Sequence, residues 1–346
     1  MSAPPVSTEG PWCVLTKDGR LNLDSEASAV ARGLDLRALL RDMVLARRID
    51  TQAIALQRQG ELGLWPSMLG QEGAQVGAGR AVQPQDVVFP SYREHGVAWC
   101  RGVDPVSLLG LFRGTTMAGW DPEAHNFRLY TLVVGAQTLH AVGYAMGLVR
   151  DGDVGTGDRS RDRAVLVFLG DGALSEGETN EAFIWAATQD LPIVFFCQNN
   201  QWAISAPYSI QSRIPAAERA RGFGFPGIRI DGNDVIACYA AVAEALGVAR
   251  EGGGPTLIEA VTYRRHPHTT SDDDFRYRAT AENDHWASLD PIDRLRRYLE
   301  SEEAGEERMD ASFIEALDDE ELRLAERLRT DCRQLPEPDA GEPFRN

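Results

Sequence analysis

The stretch from Ala164 to Asn200 constrains this chain more than any other. The apolar run Ala164–Leu169 has the look of a buried strand, and Ile193–Cys197 is a second such run. Between them Gly170-Asp171-Gly172 forces a tight turn, a helix-compatible stretch follows to about Gln189, and Pro192 breaks it. The second run ends in Asn199-Asn200. Two adjacent parallel strands bring Asp171 and Asn200 together at their carboxyl ends, although they lie 29 positions apart. Open α/β sheets bind ligands along that edge. A carboxylate and an amide oxygen beside glycine amides at a helix N-terminus suit a magnesium ion holding a diphosphate. GDG alone is a weak signal. With Ser175-Glu176-Gly177 behind it and two strand-end amides that need partners, it becomes specific.

Composition narrows the chemistry. The net charge of −17 excludes nucleic acid and an anionic membrane as natural partners, and leaves an anionic ligand to be held by local arginines and backbone amides. Lys17 is the only lysine. A phosphate loop ending in Gly-Lys-Ser/Thr is therefore absent, and a lysine aldimine would have to use a residue of the N-terminal arm. The five cysteines are scattered and odd in number, which argues for a reducing compartment and against a disulfide framework or a zinc cluster. No apolar stretch reaches the length of a membrane span, and MSAPPVSTEG does not read as a signal peptide. The expectation is a cytoplasmic, bacterial protein.

Along the chain, residues 1–33 read as an N-terminal arm lying on a surface. Leu36, Leu39, Leu40, Met43, Ala46 and Ala53 recur at helical spacing between Leu34 and Gln59. A second helix opens at Gly70-Gln71-Glu72-Gly73 and runs to about Ala81, a strand is predicted at Val87–Phe89, a helix over Val106–Phe112 and a loop over Gly114–Leu129. A small-residue helix spans Thr138–Leu148, and Asp151–Arg163 is a charged, Gly-rich loop. Strands are expected near Ile228 and over Thr256–Tyr263, with a helix over Val235–Ala249 between them. Alternation of this kind predicts a doubly wound α/β domain over 34–300 with a mainly parallel sheet and flanking helices. A C-terminal helix and tail fill 301–346, loose from Pro336.

Further motifs accompany the central one: GQEGAQVG near Gly70, VFPSYREHG near Tyr92, VVGAQ near Val134, IRIDGNDV near Asp231, TLIEAVTYR near Glu259 and HTTSDD near His268. On these residues, and over roughly Leu34–Leu299, the chain resembles the alpha subunit of the thiamine-diphosphate-dependent decarboxylase component of 2-oxo acid dehydrogenase complexes. HTTSDD and IDGNDV are most like the branched-chain (2-oxoisovalerate) type, with the pyruvate type as the alternative. The resemblance implies the thiamine-diphosphate-binding fold. It makes Asp171, Asn200 and the Trp202 carbonyl ligands of Mg2+. Gly170, Gly172 and Ala173, with Tyr92 and Arg93, would meet the diphosphate of thiamine diphosphate, Val134 would lie under the aminopyrimidine, and His268 would be the catalytic histidine.

Two departures from the family stand out. Leu132 occupies a position where pyruvate-type relatives carry Gly, and Gln198 one where some animal relatives carry Arg, which shifts phosphate neutralisation toward Arg93, Arg264 or Arg265. The resemblance also implies that the glutamate activating the cofactor comes from a separate beta subunit. The expected assembly is a heterotetramer of two alpha and two beta chains, docked on a lipoyl-bearing acyltransferase core and acting on a small 2-oxo acid. Phe127, Leu129 and Trp202 are expected to shape the substrate pocket. The Thr269–Ser271 loop corresponds to one phosphorylated in animal relatives, a regulation not expected here. A reading from a different class, a divalent-metal hydrolase built on His266, His268 and Asp272–Asp274, rests on the His-x-His spacing; His95 and His125 are weaker candidates for any role.

Overall fold

The computed structural model describes residues 10–22, 30–31 and 33–337. Unbroken apolar runs produce its central sheet. Strands β1 (Val87–Phe89), β2 (Val165–Gly170), β3 (Ile193–Asn199), β4 (Gly227–Asp231) and β5 (Thr256–Val261) pair in the order β1-β2-β3-β5-β4, every neighbour parallel. A parallel sheet covered on both faces has no polar side to show, which is why these strands read as continuous rather than alternating. Leu166, Phe168, Val194 and Phe196 face one layer, and Val165, Val167, Phe195 and Cys197 the other.

Helices α1 (Leu36–Arg58), α2 (Glu72–Ala81), α3 (His95–Cys100) and α4 (Pro105–Arg113) precede β2, followed by α5 (Ala136–Asp151). α6 (Gly177–Thr188), α7 (Ala216–Phe223) and α8 (Val235–Arg250) are the crossovers between later strands. α2, α3 and α8 cover the Phe168 face; α5, α6 and α7 cover the Phe195 face. Later in the chain come α9 (Thr280–Ala287), α10 (Pro291–Glu300) and α11 (Ala311–Gln334). Asp35 starts α1 by accepting from the Ala38 amide at 2.8 Å, and the predicted apolar stripe of α1 is buried throughout. α11 lays Leu324, Leu328 and Cys332 against Leu45, Ile49 and Leu56 of α1.

Several expectations need correction. The arm does more than lie on the surface over its described part: Val14 and Leu15 are buried, and both amides donate to Asp234 Oδ2 at 2.6 Å. The tail beyond residue 337 lies outside the described residues. The 114–129 stretch holds a helical turn at Pro122–His125 and pairs Phe127 with Val88, because Phe127 and Trp120 are core residues. The GDG stretch is a 3-10 turn, Asp171–Ser175, with no left-handed glycine, and α6 begins only at Gly177. Glycine is needed at 172 for space, since a Cβ there would lie 2.8 Å from the Ala203 Cβ.

The glycines of GQEGAQVG serve helix packing. A Cβ on Gly77 would lie 2.5 Å from the Val235 carbonyl oxygen and 2.7 Å from the Cys238 Cβ, so α2 seats directly on α8. Gly77→Ala is therefore expected to destabilise by about 2 kcal/mol through overpacking, where the same change on an exposed helix would stabilise by about 1 kcal/mol. Urea denaturation followed by tryptophan fluorescence reads the sign directly.

Candidate functional site

The carboxyl ends of β1, β2, β3 and β5 open into a cleft of about 640 Å³. The register sets its floor. Gly170 lies opposite Gln198, so Asp171, one residue beyond its strand's last pair, and Asn200, two beyond, come together as the sequence pattern requires. Asp171 is buried, takes a 3.0 Å hydrogen bond from Gln211 Nε2, and is pushed up to about 6 by burial. Asn200 Oδ1 lies 3.3 Å from Asp171 Oδ1 and 3.1 Å from the Trp202 carbonyl oxygen. Three oxygens of three residues thus face one another, with the Trp202 amide, 3.3 Å from Asn200 Oδ1, as the nearby donor. Oxygens in this arrangement repel unless a cation or a turned amide stands between them, and a carboxylate, an amide oxygen and a carbonyl are a hard-cation donor set. The first asparagine of the pair does something else: Asn199 donates to Glu259 at 2.7 Å and ties β3 to β5.

Two guanidinium groups supply positive charge. Arg93 is buried, donating from Nη1 to the Ser67 carbonyl at 2.6 Å and from Nη2 to the His268 carbonyl at 3.0 Å, with His268 Nδ1 at 3.3 Å. Arg264 donates to the carbonyls of Trp202 at 2.9 Å and Ile204 at 2.8 Å, and burial holds it down to about 10. Arg265 turns away to Asp290 at 2.9 Å. Of the two candidate arginines, Arg264 is the one in the cleft. Tyr92 stands edge-on to the His268 ring with centroids 6.1 Å apart. Burial first, then Arg93 and Arg264, hold His268 down at about 3, so its imidazole is neutral at physiological pH.

Gly170, Gly172 and Ala173 line the cleft beside Asp171, and no atom lies within 4 Å of where a Cβ on Gly170 would be. Val134 lines it as well. With Leu132 and Val133 it forms an exposed apolar ridge ahead of Gly135, which takes φ 89° at the start of α5. Leu64, Leu111, Phe112 and Ile204 are the other large apolar groups. Trp202 lines the cleft as expected, but Phe127 does not, being fully buried in the core, and Leu129 is not among the lining residues. Ile204 holds φ 54°, a strained value for a β-branched residue, and is over-determined by Arg264 on its carbonyl.

The other histidines have structural partners. His95 stacks on Trp65 at 4.1 Å and bonds Tyr130 Oη and the Pro66 carbonyl. His125 meets the Arg101 carbonyl, and His266 meets Ser67 Oγ at 2.9 Å, itself bonded to Asp50. His268 and Asp272 do not converge with His266 on a metal: Asp272 accepts from the His268 amide and from Tyr277. Among the described residues no group of three or more His, Cys, Asp or Glu side chains could hold a metal ion. That removes the footing of the His-x-His hydrolase reading.

Sequence reasoning missed Gln71 and Glu94. Glu94 is buried in the cleft wall, accepting from the Ser91 amide at 2.6 Å and from Gln198 Nε2 at 2.7 Å, and burial raises its carboxyl above the usual range. The Gln198 departure makes sense here, because its amide bridges Glu94 and Gln75, and Gln75 in turn holds the Arg93 carbonyl. Glu94 was legible only as the residue after Arg93.

A parallel α/β sheet with an acidic, amide-lined cradle and two arginines at its carboxyl edge has its cleft where sheets of this class bind their ligands. The chain belongs to the dehydrogenase E1 component family, whose model matches residues 40–322. It is 44% identical over 98% of its length, and 88% of the relative's, to the 3-methyl-2-oxobutanoate dehydrogenase subunit alpha of Mycobacterium tuberculosis. It is 38% identical over 76% of its length, and 75% of the relative's, to the pyruvate dehydrogenase E1 component subunit alpha of Acholeplasma laidlawii. The corresponding subunit of Staphylococcus aureus is 35% identical over 80% of this chain and 73% of its own.

Neutral burial of His95 has a measurable consequence. Its folded value is held down to about 4 against 6.5 for a free imidazole, so protonation favours the unfolded chain between those two values. Stability due to this residue is full above pH 6.5 and is lost as pH falls toward 4, by about 3 kcal/mol in all. The stability difference between wild type and His95→Gln is expected to shrink over that window, as read by urea midpoints at successive pH values.

Proposed function

We propose that this chain is the alpha subunit of a branched-chain 2-oxo acid dehydrogenase, decarboxylating 3-methyl-2-oxobutanoate and its homologues and passing the acyl group to a lipoyl group of an acyltransferase component. The observation that carries this reading is the convergence of Asp171, Asn200 and the Trp202 carbonyl at the β2–β3 edge in a chain so similar to a subunit named for that substrate. Thiamine diphosphate, when bound, supplies the carbanion that attacks the keto carbon and the ring that takes up the electron pair left by carbon dioxide. Asp171, Asn200 and the Trp202 carbonyl are the groups that would hold Mg2+, with the amides of Gly172 and Ala173, Tyr92 and Arg93 toward the diphosphate. Val134 offers an apolar support for the aminopyrimidine. Neutral His268, facing the cleft beside Tyr92, can give or take a proton at a substrate or lipoyl atom.

A beta subunit completes the site. Supporting this, the cleft is open on the side of Leu132, Val133, Val134 and Ile204, all exposed and apolar, as surfaces that meet a partner are. On this reading the glutamate that activates the cofactor belongs to the partner in a two-alpha, two-beta tetramer, docked on the lipoyl-bearing core in the bacterial cytoplasm. No described helix is long and apolar enough to cross a membrane.

Pyruvate is the alternative to that substrate, supported by the relatives named for it. One methylene in an apolar pocket is worth only about 1–3 kcal/mol, so the expected preference for 3-methyl-2-oxobutanoate over pyruvate in kcat/KM is at least about tenfold. The check is co-expression with the beta subunit and decarboxylation assayed with an artificial electron acceptor. Equal rates on pyruvate defeat the substrate assignment, and an active Asp171→Ala enzyme defeats the whole reading.

A further inference from the structure

The cleft contains a polar group that neither the resemblance nor the hydrogen-bond network uses. Gln71, immediately before α2, is fully buried and lines the cleft. Its Oε1 accepts from Asn200 Nδ2 at 3.2 Å, while its own Nε2 is buried with no partner. An unpaired buried donor costs about 1–3 kcal/mol, so the arrangement calls for an explanation.

The Gln71–Asn200 contact can be satisfied in two ways. In one, Asn200 donates to Gln71 and its Oδ1 is directed at Asp171 Oδ1 and the Trp202 carbonyl, the orientation a cation requires. In the other, both amides are turned over. Asn200 nitrogen then donates to Asp171 and the Trp202 carbonyl, and Gln71 nitrogen donates to Asn200 oxygen. The second pairing satisfies the facing oxygens without a cation, but takes from the Trp202 amide its acceptor on Asn200. The two amides must turn together, because turning Asn200 alone sets two amide oxygens 3.2 Å apart. We propose that Gln71 is a positioning residue that fixes the amide of Asn200, so that the pair alternates between a cation-ready and a cation-free arrangement of the cradle. In the cation-ready arrangement the Gln71 Nε2 stays buried without a partner.

The inference rests on Asp171 and Asn200 holding a cation, and the test separates the two. Mn2+ serves as the probe, with free Mn2+ counted by electron paramagnetic resonance in the presence of thiamine diphosphate and the assembled alpha–beta enzyme. Gln71→Met keeps the volume but removes the acceptor for Asn200 Nδ2, and is expected to weaken Mn2+ by about tenfold, the worth of one buried hydrogen bond. Gln71→Glu can only accept from Asn200, so it holds the cation-ready arrangement and is expected to stay within about threefold of wild type. In steady state, Gln71→Met should raise the Mg2+ concentration needed for half activity while leaving kcat at saturating Mg2+ near wild type, a split that a merely structural loss would not give. Mn2+ binding of wild-type strength in Gln71→Met, or equal weakening in Gln71→Met and Gln71→Glu, overturns the proposal while Asp171→Ala abolishes binding. Undiminished binding in Asp171→Ala overturns the cation reading itself, and the inference with it.

Discussion

Six parallel backbone pairs between β2 and β3 decide where Asp171 and Asn200 meet. Shifting that register by one residue would invert which side chains face each helix layer and would slide the carboxylate away from the amide. The register is held by burial on both faces, since Val165, Val167, Phe195 and Cys197 pack into one layer and Leu166, Phe168, Val194 and Phe196 into the other. The cradle thus inherits its geometry from the core.

The cleft's charge is arranged by carbonyls more than by ion pairs. Arg93 and Arg264 are bound by the backbone oxygens of Ser67, His268, Trp202 and Ile204. Carbonyl partners orient a guanidinium without neutralising it, so both retain charge for an anion in a chain whose net charge is −17. The same two arginines suppress protonation of His268, and an anion lying between them would relieve that suppression. Glu94, Gln198 and Gln75 form a buried polar chain behind Arg93 and hold its backbone in place.

Much was legible in advance. The strand-turn-helix-strand reading, the parallel sheet, the stripe of α1 and the meeting of Asp171 with Asn200 follow from apolar runs and turn residues, which report local conformation and burial directly. Gly172 was identified for the wrong reason, because a tight turn and a close approach to Ala203 leave the same letter in the sequence. Gln71 and Glu94 were not legible: one glutamine and one glutamate among many become informative only when a buried atom is seen without a partner, or a carboxyl is seen sealed from water. The partners of His95 and His266 within the fold were not legible either, since what lies at a histidine's two nitrogens is set by tertiary contacts.

From its sequence alone this chain is committed to a doubly wound parallel sheet with Asp171 and Asn200 meeting at one edge, because alternating apolar runs and breaks admit few other folds. Only the tertiary structure decided which arginine of Arg264-Arg265 enters the cleft. Adjacent residues at a strand end point to opposite sides, and the side chosen depends on registers set by residues far away in the chain. The glutamine that secures the cradle belongs to the same class of fact. It is brought there by the seating of α2 on α8, a contact between segments more than a hundred residues apart on which local sequence is silent.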